Sequence, residues 1–304
     1  MNVLLLFPMA DGQTGPAIQH AFEQLGHRVK AVDAKRQPGE SYKAACEFKP
    51  DLVFCSRTAI LAGRVVRIKE RFKNAIACTW QVDARADINY WKHLFPLIRA
   101  CDYYFVVASR LIPEWRKLNP NTFWLPQGLQ DDIYNKPKEL TDRDRQKYEC
   151  DVCWAGHRGG VHEFREDFLD AISNMGITFK QWGCSGNPLI YNEEHNKMVT
   201  LSKINLGMSA FPENEKFISV RDYKILGAGG FLLEFYRNGI YGIFPTDILD
   251  CYKTPEELTA KIKYWLVHER ERKEVAERGY RWVHENATYT HRIQVALEYM
   301  KDRL

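Results

Sequence analysis

Short unbroken apolar runs and longer amphipathic stretches take turns along this chain. "VLLLF" (3–7) is the first run. "DGQTGP" follows, then a stretch with Ile18, Ala21, Phe22 and Leu25 on one side at helical spacing and Gly26 as its stop. The next strand-like runs are "HRVKAVD", "DLVFCS" (51–56), "AIACTW" (75–80), "YYFVVAS" (103–109) and "TFWLPQG" (122–128). Helical material separates most of them, and strands alternating with helices predict a parallel sheet covered on both faces.

Residues 131–149 break the pattern. "QDDIYNKPKELTDRDRQK" is polar, carries no apolar period and reads as an interdomain linker. The alternation then restarts: strand "CDVCWAG" (150–156), a helix near 161–175, strand "ITFKQWG" (177–183), a helix near 193–201 and strand "INLGMS" (204–209). "RDYKILGAGG" reads as a short helix with its glycine stop, and "FLLEF" as a strand. At "TPEEL", Thr254 is the expected cap, Pro255 sits in the first turn and Glu257 lies three after the cap. Leu258, Ile262, Trp265 and Leu266 form that helix's buried stripe, and a last helix spans about 289–303. The expected fold is α/β, with two Rossmann-like doubly wound domains facing across a cleft: 1–130, a linker at 131–149, and 150–285, followed by a final segment 286–304. Ligands of such sheets bind beyond the carboxyl ends of the strands. That singles out the loops "PMADGQTG", "TWQVDARAD", "WAGHRGG", "WGCSGNP" and "MSAFPENEKFISVRD".

Composition narrows the class. With 45% hydrophobic and 27% charged residues among 304, the chain has material for two ordinary cores. No apolar run approaches the roughly 18 residues of a membrane helix. The opening run lacks a basic leader and a cleavage site, so a cytoplasmic protein is expected. A net charge of +4 admits anionic ligands without requiring them. "RVVRIKERFK" (64–73) reads as a solvated helix face rather than a nucleic-acid patch. Of eight scattered cysteines only Cys150 and Cys153 lie close together; no second pair completes a zinc set, so the thiols read as small hydrophobes.

Two loops carry the chemistry. In "WAGHRGG" (154–160), Gly156, Gly159 and Gly160 allow close backbone approach ahead of a helix, and His157 and Arg158 add charge. The glycine spacing is not the dinucleotide fingerprint, which argues against a nicotinamide cofactor. In "VRDYKILGAGG", Arg221 starts a helix, where its charge opposes the helix dipole unless an anion is bound. Arginine also suits bidentate phosphate contact. Gly229 and Gly230 end that helix.

Segment 202–292 resembles the C-terminal half of GT-B fold glycosyltransferases of the spore-maturation-protein (CgeB-like), glycosyl transferases group 1 type. The resemblance rests on "SKINLGMSA", "SVRDYKILGAGGFLLEFYRNG", "YKTPEELTAKIKYWLVHERERKEVAERGYRWV" and "TYTHRI". "CDVCWAGHRGG" and "FWLPQGLQDDIY" are similar to the segments that open the donor domain and close the acceptor domain. The resemblance implies a hexosyl- or pentosyltransferase using a nucleotide-sugar, UDP-linked, as co-substrate, with no metal or other cofactor. It places Arg221 near the donor diphosphate and has Gly227, Gly229 and Gly230 shape the donor pocket; Gly156, His157, Arg158, Gly183, Ser209 and Lys224 are the other expected donor-binding residues, Lys224 pairing with phosphate or facing solvent. The last helix is expected to cross back to the first domain. Many retaining relatives carry two glutamates eight apart, the second at the donor ribose; Lys216 and Lys224 stand there here.

On the acceptor side, Asp83 is the first candidate for base or anchor, with Asp11 a second catalytic candidate and His20 weaker still. Gly12, Gln13 and Arg85 are expected to contact the acceptor, and Asp87 to cap "INYWKHLF". The acceptor is unidentified. Modified DNA bases and a non-catalytic nucleotide-sugar-binding role are the alternatives, the first favoured by the basic charge and the second by the two lysines.

Overall fold

The computed structural model describes residues 1–159, 163–184 and 186–304. Gly160 of the first glycine loop and Ser185 of "WGCSGNP" lie outside the described residues. The chain divides into two compact units: Met1–Gln127 with Asn214–Phe217 and Tyr289–Leu304, and Gly128–Glu213 with Ile218–Thr288.

The first unit holds six parallel strands, β1 (Asn2–Phe7), β2 (Arg28–Asp33), β3 (Leu52–Ser56), β4 (Ile76–Gln81), β5 (Tyr103–Val106) and β6 (Thr122–Trp124). Their order is β2-β1-β3-β4-β5-β6. β3 and β4 are buried at every position, as expected of parallel strands covered on both faces, whereas β2 at the edge alternates with exposed residues. One face packs Val3, Leu5 and Phe54 against helix Thr14–Gln24 and the returning helix Tyr289–Met300; the other packs Leu4, Leu6 and Val53 under helix Leu61–Arg71. Val65 and Ile68 form the buried side of that basic helix.

The second unit holds five parallel strands, β7 (Cys150–Ala155), β8 (Phe179–Trp182), β9 (Ser202–Gly207), β10 (Leu232–Phe235) and β11 (Asp250–Tyr252), in the order β11-β10-β9-β7-β8. Chain order reverses at β1/β3 in the first sheet and at β7/β9 in the second, and such switch points open a crevice at the strands' carboxyl ends. Trp154, Ile204, Leu206 and Leu233 centre the second core. All eight cysteines are free, and Cys150 and Cys153 face Ser202 and Asn205 at 3.3 and 3.0 Å.

Residues 131–149, expected as a linker, group instead with the second unit. They contain helix Asp142–Tyr148, started by a reciprocal capping box between Thr141 and Asp144 and anchored by the buried Tyr148. One buried residue in a two-turn helix leaves no apolar period to read. Thr254 caps helix Pro255–Val267 through Glu257 N at 3.2 Å, but the Glu257 carboxylate accepts from Lys253 N at 2.9 Å, so the box is not closed. Among the described residues no helix is long and apolar enough to cross a membrane.

Candidate functional site

The second unit's switch point is built from three segments. β7 runs out into Gly156, β9 leads into Met208–Phe211, and helix Val220–Gly227 starts beside both. Ser219 caps that helix, its hydroxyl accepting from Arg221 N at 3.3 Å. Arg221 reaches back to β7: a Cβ on Gly156 would stand 3.0 Å from Arg221 Nη2 and 2.7 Å from the Trp154 ring. Glycine at 156 is thus what lets the guanidinium lie over the strand end. Arg221 Nη1 is buried and has no hydrogen-bond partner among the described residues. A desolvated guanidinium N–H without an acceptor is costly, which marks a place for an anion.

Cations crowd around it. Arg165, on helix Arg165–Ser173, is 3% exposed, and donates to His157 O at 2.9 Å and to Met208 O at 2.6 Å. It thereby ties the loop after β7 to the loop after β9. Its guanidinium lies 5.6 Å from the Trp154 ring. Burial first, and Arg221 second, pull its pKa down to about 9. Lys224, one turn after Arg221, stacks its ammonium 4.3 Å from the Tyr134 ring. Burial and then the Arg221 charge lower its pKa to about 8. His195 stands edge-on to the same tyrosine at 5.4 Å, is 4% exposed, and has no partner for Nδ1 among the described residues. Burial, then Lys224 and Arg221, push its pKa down to about 3, so it is neutral. Arg165 and Lys224 are both weakened by the Arg221 charge, and an anion bound among the three would relieve both.

Beneath this cluster lies a carboxyl pair. Asp222 and Glu234 are both fully buried. Glu234 Oε2 and Asp222 Oδ1 both fall within 2.7 Å of the point where a Gly207 Cβ would stand, so only glycine fits there. Asp222 Oδ2 accepts from Ser209 Oγ at 3.0 Å, and Glu234 Oε1 from Ser209 N at 3.3 Å. Ser209 Oγ in turn accepts from Ser219 N at 2.9 Å, which links the pair to the start of Arg221's helix. Arg237 donates to Ser209 O at 2.7 Å and reaches Ala210 O and Phe211 O at 3.3 and 3.4 Å. Burial raises both carboxyl pKa values; for Glu234 the neighbouring Asp222 charge adds to it and the rise is large. Two buried carboxyls this close cannot both be ionised, so the pair holds a proton.

The sequence candidates separate into groups. Gly156, Ser209, Arg221 and Lys224 converge at the switch point, and Gly183 joins them: at φ +81, its Cβ would lie 3.1 Å from Gly156 O. Arg158 does not join; it pairs with Glu166 at 2.9 Å and Asp170 at 2.6 Å. His157 is exposed and contributes its carbonyl to Arg165. Gly227, Gly229 and Gly230 make room for Leu129, Lys136 and Val199 respectively, and Gly229 also takes φ +78, so packing and the turn account for them. Lys216 belongs to the first unit, its ammonium 5.4 Å from the Trp124 ring.

In the first unit, Asp11, Gly12 and Gln13 form an exposed turn after β1. His20 lies on the following helix within 3.3 Å of Gln24. Asp83 follows β4 and is ion-paired with Arg57, which follows β3. Arg85 stacks 4.6 Å from Tyr90, and Asp87 accepts from Asn89 N at 2.8 Å as the cap of Ile88–Leu94. Sequence reasoning missed Arg165, His195, Asp222, Glu234 and Arg237. A visible signal existed for Glu234, an acid inside the apolar run "FLLEF".

The comparisons agree with this architecture. HepE from Anabaena, solved with UDP-glucose, superposes with a TM-score of 0.68 at 10% identity, covering 99% of this chain and 100% of HepE. Sucrose-phosphate synthase from Thermosynechococcus elongatus gives 0.67 at 9% identity, covering 99% of each chain. A glycosyltransferase from Rickettsia africae gives 0.64 at 12% identity over 99% of this chain and 97% of its own. The chain has the GT-B fold. A family described as glycosyl transferase-like matches residues 163–298 of this GT-B chain, a span that includes helix Val220–Gly227 and β10. No curated protein matches it.

Proposed function

We propose that the chain is a glycosyltransferase that moves a sugar from a nucleotide-sugar, UDP-linked, to an acceptor. One observation carries the reading: the buried Nη1 of Arg221, without a hydrogen-bond partner among the described residues, at a helix start and a sheet switch point, beside a glycine that clears its path. The donor diphosphate would lie against Arg221 and Lys224, with Gly156 and Gly183 allowing backbone approach. Its growing charge during departure would be met by these cations rather than by a metal ion. The acceptor oxygen forms the new bond to the sugar's anomeric carbon, the bond from that carbon to the diphosphate oxygen breaks, and UDP leaves. The acceptor proton passes to a carboxylate, for which Asp83 is the candidate. The matching family span and the UDP-glucose bound by HepE support the reading from outside the chain.

The test is calorimetric titration of UDP, GDP and UMP, alongside hydrolysis of UDP-glucose. UDP should bind more tightly than UMP, and Arg221→Ala should abolish the difference. Equal affinity of the wild type for UDP and UMP would remove the diphosphate from the proposal. Binding without turnover of any labelled donor would favour a non-catalytic nucleotide-sugar-binding protein.

A further inference from the structure

The carboxyl edge of the first unit's sheet carries a second cluster. The loops after β3, β4 and β5 each contribute one arginine, Arg57, Arg85 and Arg110. The same loops hold two aspartates, and Asp87 is engaged as a helix cap. Arg57 and Arg85 both lie over one indole, at 5.2 and 6.0 Å from the Trp91 ring. Trp91 is 2% exposed, and its Nε1 is buried with no partner among the described residues. It lines a recess together with Gln81, Asp83 and Arg85. Two guanidiniums held over one ring, beside an indole N–H without an acceptor among the described residues, make a donor-rich edge, and the Asp83 carboxylate in it is ion-paired with Arg57.

We infer that this edge receives the acceptor, and that the acceptor carries an oxyanion, phosphate or carboxylate, which takes Arg57 away from Asp83. The inference rests on the glycosyltransferase reading. It also gives Asp83 a condition for acting. While Arg57 occupies the Asp83 carboxylate, that carboxylate is not open to an acceptor hydroxyl, and an incoming anion that claims the arginine uncovers it. An acceptor lacking the anion would leave the ion pair closed. Arg110, committed to the Ala86 carbonyl, holds the loop that carries Asp83 and Arg85.

The competition makes a test with opposite signs. Glucose 6-phosphate, glucuronate and glucose are titrated into the full chain saturated with UDP, and binding is followed by ligand-observed NMR. Both acids should bind and glucose should not. Arg57→Gln and Arg85→Gln should each weaken the acids by about tenfold, a typical loss for one charged contact. Asp83→Asn removes the competing carboxylate and should tighten them by about threefold or more; Asp83→Ser serves if the first variant does not fold. Weaker binding in both Asp83 variants would overturn the inference, as would glucose binding as well as its phosphate. A short DNA duplex that binds with a steep salt dependence and is lost in Arg57→Gln would replace the small acceptor with nucleic acid. Failure of the donor reading appears separately, as absence of UDP binding before any acceptor is added.

Discussion

Replacing Glu234 with glutamine should flatten the protein's stability on its alkaline side. Glutamine keeps the shape and can donate the hydrogen bond that a protonated glutamate gives Asp222, but it cannot ionise. In the wild type, burial and the Asp222 charge hold the Glu234 pKa well above the ordinary glutamate range. The folded state therefore keeps a proton that the unfolded chain has released. Such a group's stabilisation is complete below the unfolded pKa, about 4.3, and is lost as pH rises through the folded value. Across that window the slope for one proton is about −1.4 kcal/mol per pH unit, or about 3–6 °C of melting temperature per unit for a domain of this size. The groups facing the pair are the charged Arg221, on Asp222's helix, Arg165 and Arg237, together with the neutral Tyr252 phenol. The three arginines favour the ionised form and so shorten the window without reversing its sign. The assay is thermal melting of wild type and Glu234→Gln in steps from pH 5 to pH 9. The difference between them should move in favour of the variant as pH rises. Parallel curves would refute the argument, because they would mean that Glu234 carries no extra proton in the folded protein. Glu234→Ala is the control for shape: it empties the space of a fully buried side chain and should cost about 2–3 kcal/mol.

Other substitutions probe the donor side. Arg221→Lys keeps the charge but loses the fork, so it should bind UDP more weakly than wild type by about tenfold and more tightly than Arg221→Ala, measured by calorimetry. Gly156→Ala drives a methyl to 2.7 Å from the Trp154 ring and 3.0 Å from Arg221 Nη2; it should lower stability by about 1–3 kcal/mol in denaturant melts and weaken UDP binding as well. Lys224→Met should raise the melting temperature while weakening UDP, since it removes a buried cation repelled by Arg221. With its pKa lowered to about 8, Lys224 binds fewer protons folded than unfolded, so wild-type stability should rise from about pH 8 towards the ordinary value of 10.5, and the methionine variant should lack that rise.

The sheets were legible because parallel strands buried on both faces leave unbroken apolar runs, as in "VLLLF" and "DLVFCS". Arg221 was legible for a local reason: a cation where a helix dipole opposes it stands out in sequence. Arg165 was not, because its burial depends on carbonyls at 157 and 208, one from each side of the switch point. The glycines after Arg221 read as a ligand turn, yet their neighbours Leu129, Lys136 and Val199 come from segments distant in the chain. Glu234 was the available clue that went unused. An acid in a buried strand calls for a partner, and Asp222 follows Arg221 directly.

The helix Tyr289–Met300 places Ile293, Ala296 and Met300 in the same core as Ala17, Ile18 and Phe22. A nascent chain emerges from the ribosome in sequence order, and domains made first generally fold first. Here the unit begun first cannot close its core until residue 300 has been made. The second unit, apart from the four residues 214–217, is continuous from Gly128 to Thr288 and can complete its sheet earlier. Synthesis order and folding order therefore run in opposite directions, and the part of helix Thr14–Gln24 that packs on Ile293, Ala296 and Met300 waits for nearly the whole of translation.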